Sequence, residues 1–252
     1  MVFEKYIPCE ADSEAKAALL DMMRGVDEGV SYADTIRLRA SGALADACND
    51  TYYLAIEDKK ALARHWNGWG RHADAIGNWG NFYTDPACRG RGIGSALLRL
   101  WQEDFDARSD LPICFLCSAA TKALVALYAK LGFRVAIEGE EFGPLYRPIG
   151  SSPDSFREFY KAYYKPSDVV YLRAASCEYR HEIDCLLRFA LRDLGESFGI
   201  GEQKSVEAAL LYAPDRAGML FSADGHCVGW SFDGDLQLYP LYRDARIIKE
   251  AH

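Results

Sequence analysis

The feature that most constrains this chain is a glycine-rich turn, RGRGIG, at residues 89–94. A short apolar-aromatic run ending at Asp85-Pro86 precedes the turn, and from Ser95 onward apolar residues recur at helical spacing. A strand, a glycine turn and a helix in this order direct several backbone N–H groups and a helix N-terminus at one point. Such a point binds phosphate, because the glycines let the backbone approach an anion closely and the arginines add charged donors.

Two common phosphate-binding motifs do not fit this turn. A dinucleotide fingerprint starting at Gly92 requires a glycine or alanine where Leu97 stands. A P-loop requires Gly-Lys-Ser/Thr, and no such tripeptide follows the turn. The remaining pattern is R-x-x-G-x-G directly after a strand that ends at a proline.

This pattern resembles the coenzyme A site of the GNAT superfamily of acyl-CoA-dependent N-acetyltransferases. The resemblance implies that Arg89, Gly92 and Gly94 occupy the motif that binds the pyrophosphate of coenzyme A. It also implies that the backbone of the preceding strand meets the pantetheine arm. The residues expected to bind acetyl-CoA are therefore Phe82, Tyr83, Thr84, Arg89, Gly90, Arg91, Gly92, Ile93, Gly94 and Ser95.

A second motif follows in the order that the family shows, with a predicted strand between the two. Residues 111–117 form an apolar run that predicts a buried strand, and residues 121–133 predict an amphipathic helix ended by Gly132. The helix closes on LYAKLGF, which is similar to the family's tyrosine motif, so the resemblance implies that Tyr128 protonates the departing thiolate. Thr121 and Leu124 depart from the family's usual Asn and Ala. The base stays open among Asn81, Tyr83, Glu141 and a water chain.

The resemblance covers residues 1–148 and implies an α/β fold with a mixed sheet, followed by a smaller α+β half at residues 149–252. The implied activity is direct transfer of an acetyl group from acetyl-CoA to a primary amine of a small molecule. Two alternatives stay open: acetylation of proteins or peptides, and a non-catalytic acyl-CoA-binding module with a regulatory second half.

The second half begins with a linker at residues 149–154 and an aromatic segment at 155–164 that predicts a helix. A strand is then expected from Val169, helices at 178–194 and 204–211, and a meander at 218–222, 226–232 and 235–239. This order repeats that of residues 5–85, and residues 240–247 parallel 86–93 with Asp244 and Arg246 in place of glycines. A duplication that stops at the cofactor strand, without its own coenzyme A site, and an unrelated extension are both open.

Bulk composition limits the partners. The formal net charge of −8 over 252 residues argues against nucleic acid and favours cationic substrates. Met1 is followed by a mixed polar segment, and no run reaches membrane-spanning length, so a cytoplasmic protein without a membrane partner is expected. A homodimer stays open as an assembly. Of the eight cysteines, Cys114 and Cys117 form a C-x-x-C, but it lies in a predicted strand, where positions three apart face opposite ways. The other six have no ligand spacing, so buried or incidental thiols are favoured over a metal site.

For several polar and aromatic residues outside the glycine turn, a structural placement is favoured over a functional role. Asp27 and Glu28 are expected in a solvated loop, although the resemblance implies that this loop borders the acceptor pocket. His65 and His72 are expected at a surface or strand end, with a base role as the less favoured alternative. The tryptophans of this region could line a pocket, but half-buried sheet positions are commoner; they are Trp66, Trp69 and Trp79.

Overall fold

The structure is a computed structural model that describes residues 1–8, 12–27, 33–72, 75–186, 210 and 214–250. The chain divides into two compact units, Met1–Pro112 and Ile113–His252. The family resemblance predicts a boundary at residues 148/149, after this division. That boundary concerns where the similarity to the family ends, and it stays a prediction. Within the described residues no helix is long and apolar enough to cross a membrane.

The first unit is an antiparallel meander with helices on both faces. Its strands lie in the order β1-β2-β3-β4, and every neighbouring pair is antiparallel. The elements are β1 (Val2–Tyr6), α1 (Glu14–Val26), α2 (Ala33–Ser41), β2 (Cys48–Glu57), β3 (Lys60–Gly70), β4 (Ile76–Thr84), a 3-10 turn (Pro86–Cys88) and α3 (Ile93–Ala107).

Alternating side chains give each face of this meander its own core. Tyr52 on β2 packs with Leu19 and Met23 of α1 and with Ile36 of α2. The next residue, Tyr53, points to the opposite face, where its hydroxyl donates to Asp104 of α3 at 2.6 Å. Successive strand residues face opposite sides of the sheet, and helices cover both sides. As a result, β2 is buried along nearly its whole length.

The second unit contains two sheets. The first has the order β5-β7-β6, and the second has the order β11-β10-β9-β8-β12. The elements are β5 (Cys114–Ala119), α4 (Lys122–Ala129), β6 (Arg134–Val135), β7 (Gly143–Pro148), α5 (Phe156–Tyr163), β8 (Val169–Ala174), α6 (Arg180–Cys185), β9 (Ala217–Ser222), β10 (Cys227–Phe232), β11 (Asp235–Leu238) and β12 (Arg246–Lys249).

The aromatic helix α5 connects the two sheets of the second unit. Phe156 and Phe159 pack on Tyr146 of β7, with ring centroids 5.6 and 5.4 Å apart. From the end of the same helix, Tyr163 stacks on His226 at 3.7 Å, and Tyr163 also donates its hydroxyl to the buried carboxylate of Glu182. The four residues that α5 buries all have aromatic side chains: Phe156, Phe159, Tyr160 and Tyr163.

The mixed α/β fold with a second α+β half is confirmed. The strand expected from Val169, the following meander and the aromatic helix are all present. The helix expected at 178–194 is described only up to Leu186, and the helix expected at 204–211 lies outside the described residues except for Leu210. Strand β12 was not expected; it pairs in parallel with β8 at the edge opposite to β11.

Candidate functional site

The glycine turn begins at the end of β4, where Asp85 stops the strand. Its carboxylate accepts a hydrogen bond from the Ala87 N–H at 2.8 Å, and Pro86 takes the first position of the 3-10 turn. Proline is suited to this position because its φ is already fixed and its missing N–H is not needed there. The strand, glycine turn and helix expected around residues 89–94 are thus confirmed as secondary structure.

Gly92 is the residue that redirects the chain into α3. Its φ is +78°, in the left-handed region, and an added Cβ would meet no atom within 4 Å. A side chain there would therefore be strained by the backbone and would project into open space.

The N-terminus of α3 is open to an anion. No side chain among the described residues caps it, and its first turn holds no acidic residue. In contrast, α1, α4 and α5 are each capped by a hydroxyl, from Ser13, Thr121 and Ser155. The first N–H groups of a helix have no intrahelical partner, and the helix dipole adds positive potential. The first turn of α3 is consequently a donor set that suits phosphate.

Gly94 serves close packing. A Cβ at this position would lie 2.9 Å from the ring Cζ of Phe82 and 3.3 Å from the Thr84 hydroxyl. The first turn of α3 therefore lies directly on the end of β4. This contact fixes the helix N-terminus next to the strand residues expected along pantetheine.

The two arginines of the turn are exposed and only lightly held. The Arg89 Nε donates to the Thr84 carbonyl at 3.3 Å, and Arg91 lies 3.5 Å from the Glu57 carboxylate. The Arg91–Glu57 pair is solvent-exposed on both sides, so it contributes little to stability. Both guanidinium groups are thus available to a bound anion at small cost.

Strand β4 carries a β-bulge just before the turn. Arg64 pairs with Tyr83 and Trp66 pairs with Gly80, so two β4 residues, Asn81 and Phe82, oppose the single residue His65. Asn81 has a φ of +51°, which is uncommon for a residue other than glycine. A bulge leaves one residue out of the ladder and bends the strand, and bulges are frequent beside active sites.

His65 is buried opposite this bulge, so its expected place at a surface or strand end was wrong. It is fully buried in the middle of β3, and burial lowers the pKa of its imidazole to about 3. A neutral, enclosed imidazole with so low a pKa is too weak a base for an amine. His72, by contrast, lies exposed after β3, as expected.

Asp27 is also buried, and its expected place in a solvated loop was wrong. Both carboxylate oxygens accept from Arg64 of β3, at 2.9 and 2.6 Å, and both residues are almost fully buried. The Arg64 guanidinium also lies 5.9 Å from the ring of Tyr83. The pair therefore anchors the end of α1 beside the strand that precedes the turn. Glu28 lies outside the described residues.

The tryptophans of this region belong to the core. Trp66, Trp69 and Trp79 are all buried, beyond the half-burial typical of sheet aromatics. The Trp66 indole N–H donates to Asp50 at 2.8 Å, and the same carboxylate accepts from Arg39 at 2.9 and 3.0 Å.

Tyr128 lies in the second unit, near the end of α4, and is almost fully buried. Burial, with a smaller contribution from the nearby Cys117 on β5, raises the pKa of its phenol to about 12. The hydroxyl therefore keeps its proton at neutral pH, as a proton donor must. Thr121, one of the departures from the family pattern, uses its hydroxyl to cap α4.

Among the candidate bases, Glu141 is exposed and forms a 2.6 Å ion pair with Lys122. Asn81 and Tyr83 are half-buried at the bulged end of β4. The structure thus brings the ten residues expected to bind acetyl-CoA together within the first unit, and it places Tyr128 in the second. Sequence reasoning misplaced His65 and missed Arg64, since only their strand pairing, which no motif encodes, brings them beside β4.

Residues 48–135, about a third of the chain, match the family model described as the acetyltransferase (GNAT) domain. The match runs from β2 to β6 and contains both the glycine turn and Tyr128. It confirms the resemblance identified in the sequence. A search of curated proteins gives no significant match.

Several solved structures are similar to parts of this chain. An acyl-CoA N-acyltransferase from Pseudomonas aeruginosa is 19% identical with a TM-score of 0.41, over 58% of this chain and 98% of that one. ElaA from Escherichia coli is 17% identical with a TM-score of 0.44, over 58% and 99%. The PaiA N-acetyltransferase from Thermoplasma acidophilum, in complex with coenzyme A, is 14% identical with a TM-score of 0.38, over 59% and 100%.

Proposed function

We propose that this chain, whose residues 48–135 match the model of the GNAT acetyltransferase domain, transfers an acetyl group from acetyl-CoA directly to a primary amine of a small molecule. The observation that carries the proposal is the open N-terminus of α3 behind the left-handed Gly92. Its backbone N–H groups fit a pyrophosphate, because two exposed arginines lie in the preceding turn and the first helical turn holds no carboxylate.

The first unit would bind acetyl-CoA. The N–H groups from Arg91 to Ser95 would hold the pyrophosphate, and Arg89 would add a charge-assisted hydrogen bond. The backbone of Phe82, Tyr83 and Thr84 would lie along the pantetheine arm. Acetyl-CoA supplies the acetyl group as a thioester, and a backbone N–H of the bulged strand would donate to its carbonyl oxygen.

Tyr128 would be the proton donor of the reaction. Its raised pKa keeps the phenol protonated throughout the range in which amines are acetylated. A positioned phenol would donate that proton to the departing thiolate and would recover it from solvent afterwards. This role rests on the tyrosine motif and on the protonation state of the residue.

The acceptor is proposed to be cationic in solution and neutral when it reacts. A formal net charge of −8 raises the local concentration of protonated amines around the protein. A transfer step requires the neutral amine, so a water chain, oriented by a half-buried polar residue such as Asn81, would carry the amine's proton to solvent. Glu141 is a weaker candidate because Lys122 already pairs with it.

A transfer screen tests the proposal. The full chain is incubated with acetyl-CoA and with panels of polyamines, aminoglycosides, amino acids and peptides, and both thiol release and the acetylated product are measured. We expect thiol release with at least one small amine and a matching mass increase of that amine. Coenzyme A binding without thiol release on any panel would instead favour the non-catalytic module. Transfer confined to peptides would favour the protein-directed alternative.

A further inference from the structure

His65 stands out among the buried polar groups of the first unit because it faces the one irregular point of β4. It is the single β3 residue that opposes Asn81 and Phe82. Its Nδ1 lies 3.1 Å from the carbonyl oxygen of Gly80, the last β4 residue before the bulge. A carbonyl only accepts, so Nδ1 carries the imidazole hydrogen and donates it. The hydrogen bond thus holds the backbone at the point where the strand leaves its regular pairing.

The surroundings of His65 fix the ring in one orientation. Four aromatic rings lie around it, with centroids 4.4 to 6.2 Å away: Tyr53, Trp79, Phe82 and Trp101. One of them, Phe82, is a bulge residue, and its ring end is the atom that a Cβ on Gly94 would strike. The imidazole therefore contacts the bulge both through the Gly80 carbonyl and through the Phe82 ring.

The other ring nitrogen shows that this burial is costly. Nε2 is buried and has no hydrogen-bond partner among the described residues, although His65 is fully enclosed. An apolar residue of similar size would avoid the free-energy cost of an unsatisfied buried acceptor. A histidine at this position is thus explained by what Nδ1 does and not by packing alone.

We propose that His65 is a positioning residue for acetyl transfer: its Nδ1–H locks the Gly80 carbonyl and so fixes the β4 bulge that presents a backbone N–H to the thioester carbonyl. The inference rests on the proposed function and deepens it. Displacement of such a donor by about 1 Å costs up to about a hundredfold in rate. His65 itself touches no reacting atom.

Two nearly isosteric variants separate positioning from packing. Asn at position 65 retains an N–H where Nδ1 lies, whereas Leu has the same shape without a donor. We expect His65→Leu to lower kcat roughly 10- to 100-fold with an unchanged Kd for coenzyme A, and His65→Asn to recover most of the loss. A third variant, His65→Gln, moves the donor to the place of Nε2 and should behave like His65→Leu.

Wild-type kcat in His65→Leu, or an equal loss in His65→Leu and His65→Asn, would overturn the proposal. If the variants fail to fold, nitrogen chemical shifts of the wild-type protein decide: the expected tautomer carries its hydrogen on Nδ1, and a hydrogen on Nε2 overturns the inference. Amide exchange at Asn81 and Phe82 reports the bulge without any substrate. These two measurements still test His65 if the transfer screen finds no activity, so a failure of the proposed function is seen separately.

Discussion

The two halves of this chain begin with the same order of elements and end differently. In the first, β1 to β4 form an antiparallel meander with helices between its first and second strands. In the second, β8 to β11 form an antiparallel meander with α6 between its first and second strands. Both fourth strands run into a 3-10 turn that starts at a proline, Pro86 or Pro240. The strand order agrees with a duplication, which stays a prediction.

The difference begins where the glycines are missing. After Pro86–Cys88, Gly92 adopts a left-handed φ and starts α3. After Pro240–Tyr242, Arg246 stands at the corresponding place and starts the extended strand β12. A residue with a side chain pays about 1–2 kcal/mol in the left-handed region, so the chain continues as a strand. At corresponding places the first half thus has a left-handed glycine followed by a helix, and the second half has the start of an edge strand.

The largest effect is expected from removal of the second meander. A chain ending at Gly150 is cut inside the second compact unit and loses α5, so Tyr146 and the β7 face lose their aromatic cover. An exposed aromatic face promotes association, so we expect aggregation in size-exclusion chromatography with light scattering. The same fragment with Tyr146→Ser should aggregate less. A soluble, monomeric and fully active fragment would show that the first 150 residues need nothing from the second meander.

The next effect tests the glycine that distinguishes the halves. Gly92→Val places a branched side chain at a φ of +78° where the pyrophosphate would bind, and we expect coenzyme A affinity to fall more than about a hundredfold. Gly225→Val, in the β9–β10 turn, is the matched control, with a φ of +83° and equally open space. Calorimetry should show normal affinity for the control. Unchanged affinity in Gly92→Val means that the phosphate site lies elsewhere.

Tyr128 belongs to a motif that has no counterpart after the second meander. Tyr128→Phe should lower kcat about a hundredfold and leave the Kd for coenzyme A unchanged, because only the proton donor is lost. Tyr146→Phe is the control; its hydroxyl donates to the Pro153 carbonyl at 2.8 Å, and its loss should affect stability alone. Comparable kcat values for the two variants would count against the acid role.

The pH dependence of kcat sharpens this test. The pKa of Tyr128 is raised to about 12, so its phenol is mostly protonated below that pH and is half ionised near it. Between pH 7 and 10 the rate should therefore not fall through ionisation of Tyr128. A pH–rate profile of the wild type that declines near pH 10, and a Tyr128→Phe profile without that decline, would contradict the buried state of the phenol.

The smallest effect concerns surface charge. Arg91→Ala should weaken coenzyme A binding about three- to tenfold, and more so at low salt, since one exposed guanidinium near the phosphates is lost. Arg216→Ala removes an exposed guanidinium that pairs with Asp233 in the second meander and should leave that affinity unchanged. Titrations at two salt concentrations measure both. Equal effects would point to long-range charge and not to a local contact.

The sequence was sufficient for the elements with local signals. Glycines, a proline and periodic apolar residues predict β4, the turn and α3, and two motifs in the right order predict the family. The meander of the second half follows from short apolar runs between turn residues. In these cases the residues that decide the structure lie within a few positions of one another.

The elements that were missed depend on distant partners. Strand β12 has only four residues and pairs with β8 from the far end of the half, so no local pattern marks it. The burial of Asp27 depends on Arg64, which is 37 residues away. The bulge at Asn81 and the placement of His65 follow from the β3–β4 register, which is set by the packing of both faces and not by either strand alone.

The parallel pairing of β12 with β8 has a consequence for synthesis of the chain. Leu172 pairs with Lys249, so the backbone groups on one edge of β8 stay unpaired until a residue 77 positions later has been made. At about 5–20 residues per second a ribosome takes roughly 4–15 s to deliver it. The first meander needs no such delay, since each of its strands pairs with one made just before or after it. During translation the sheet of the first meander therefore completes first, while the outer edge of β8 stays unpaired until β12 has been made.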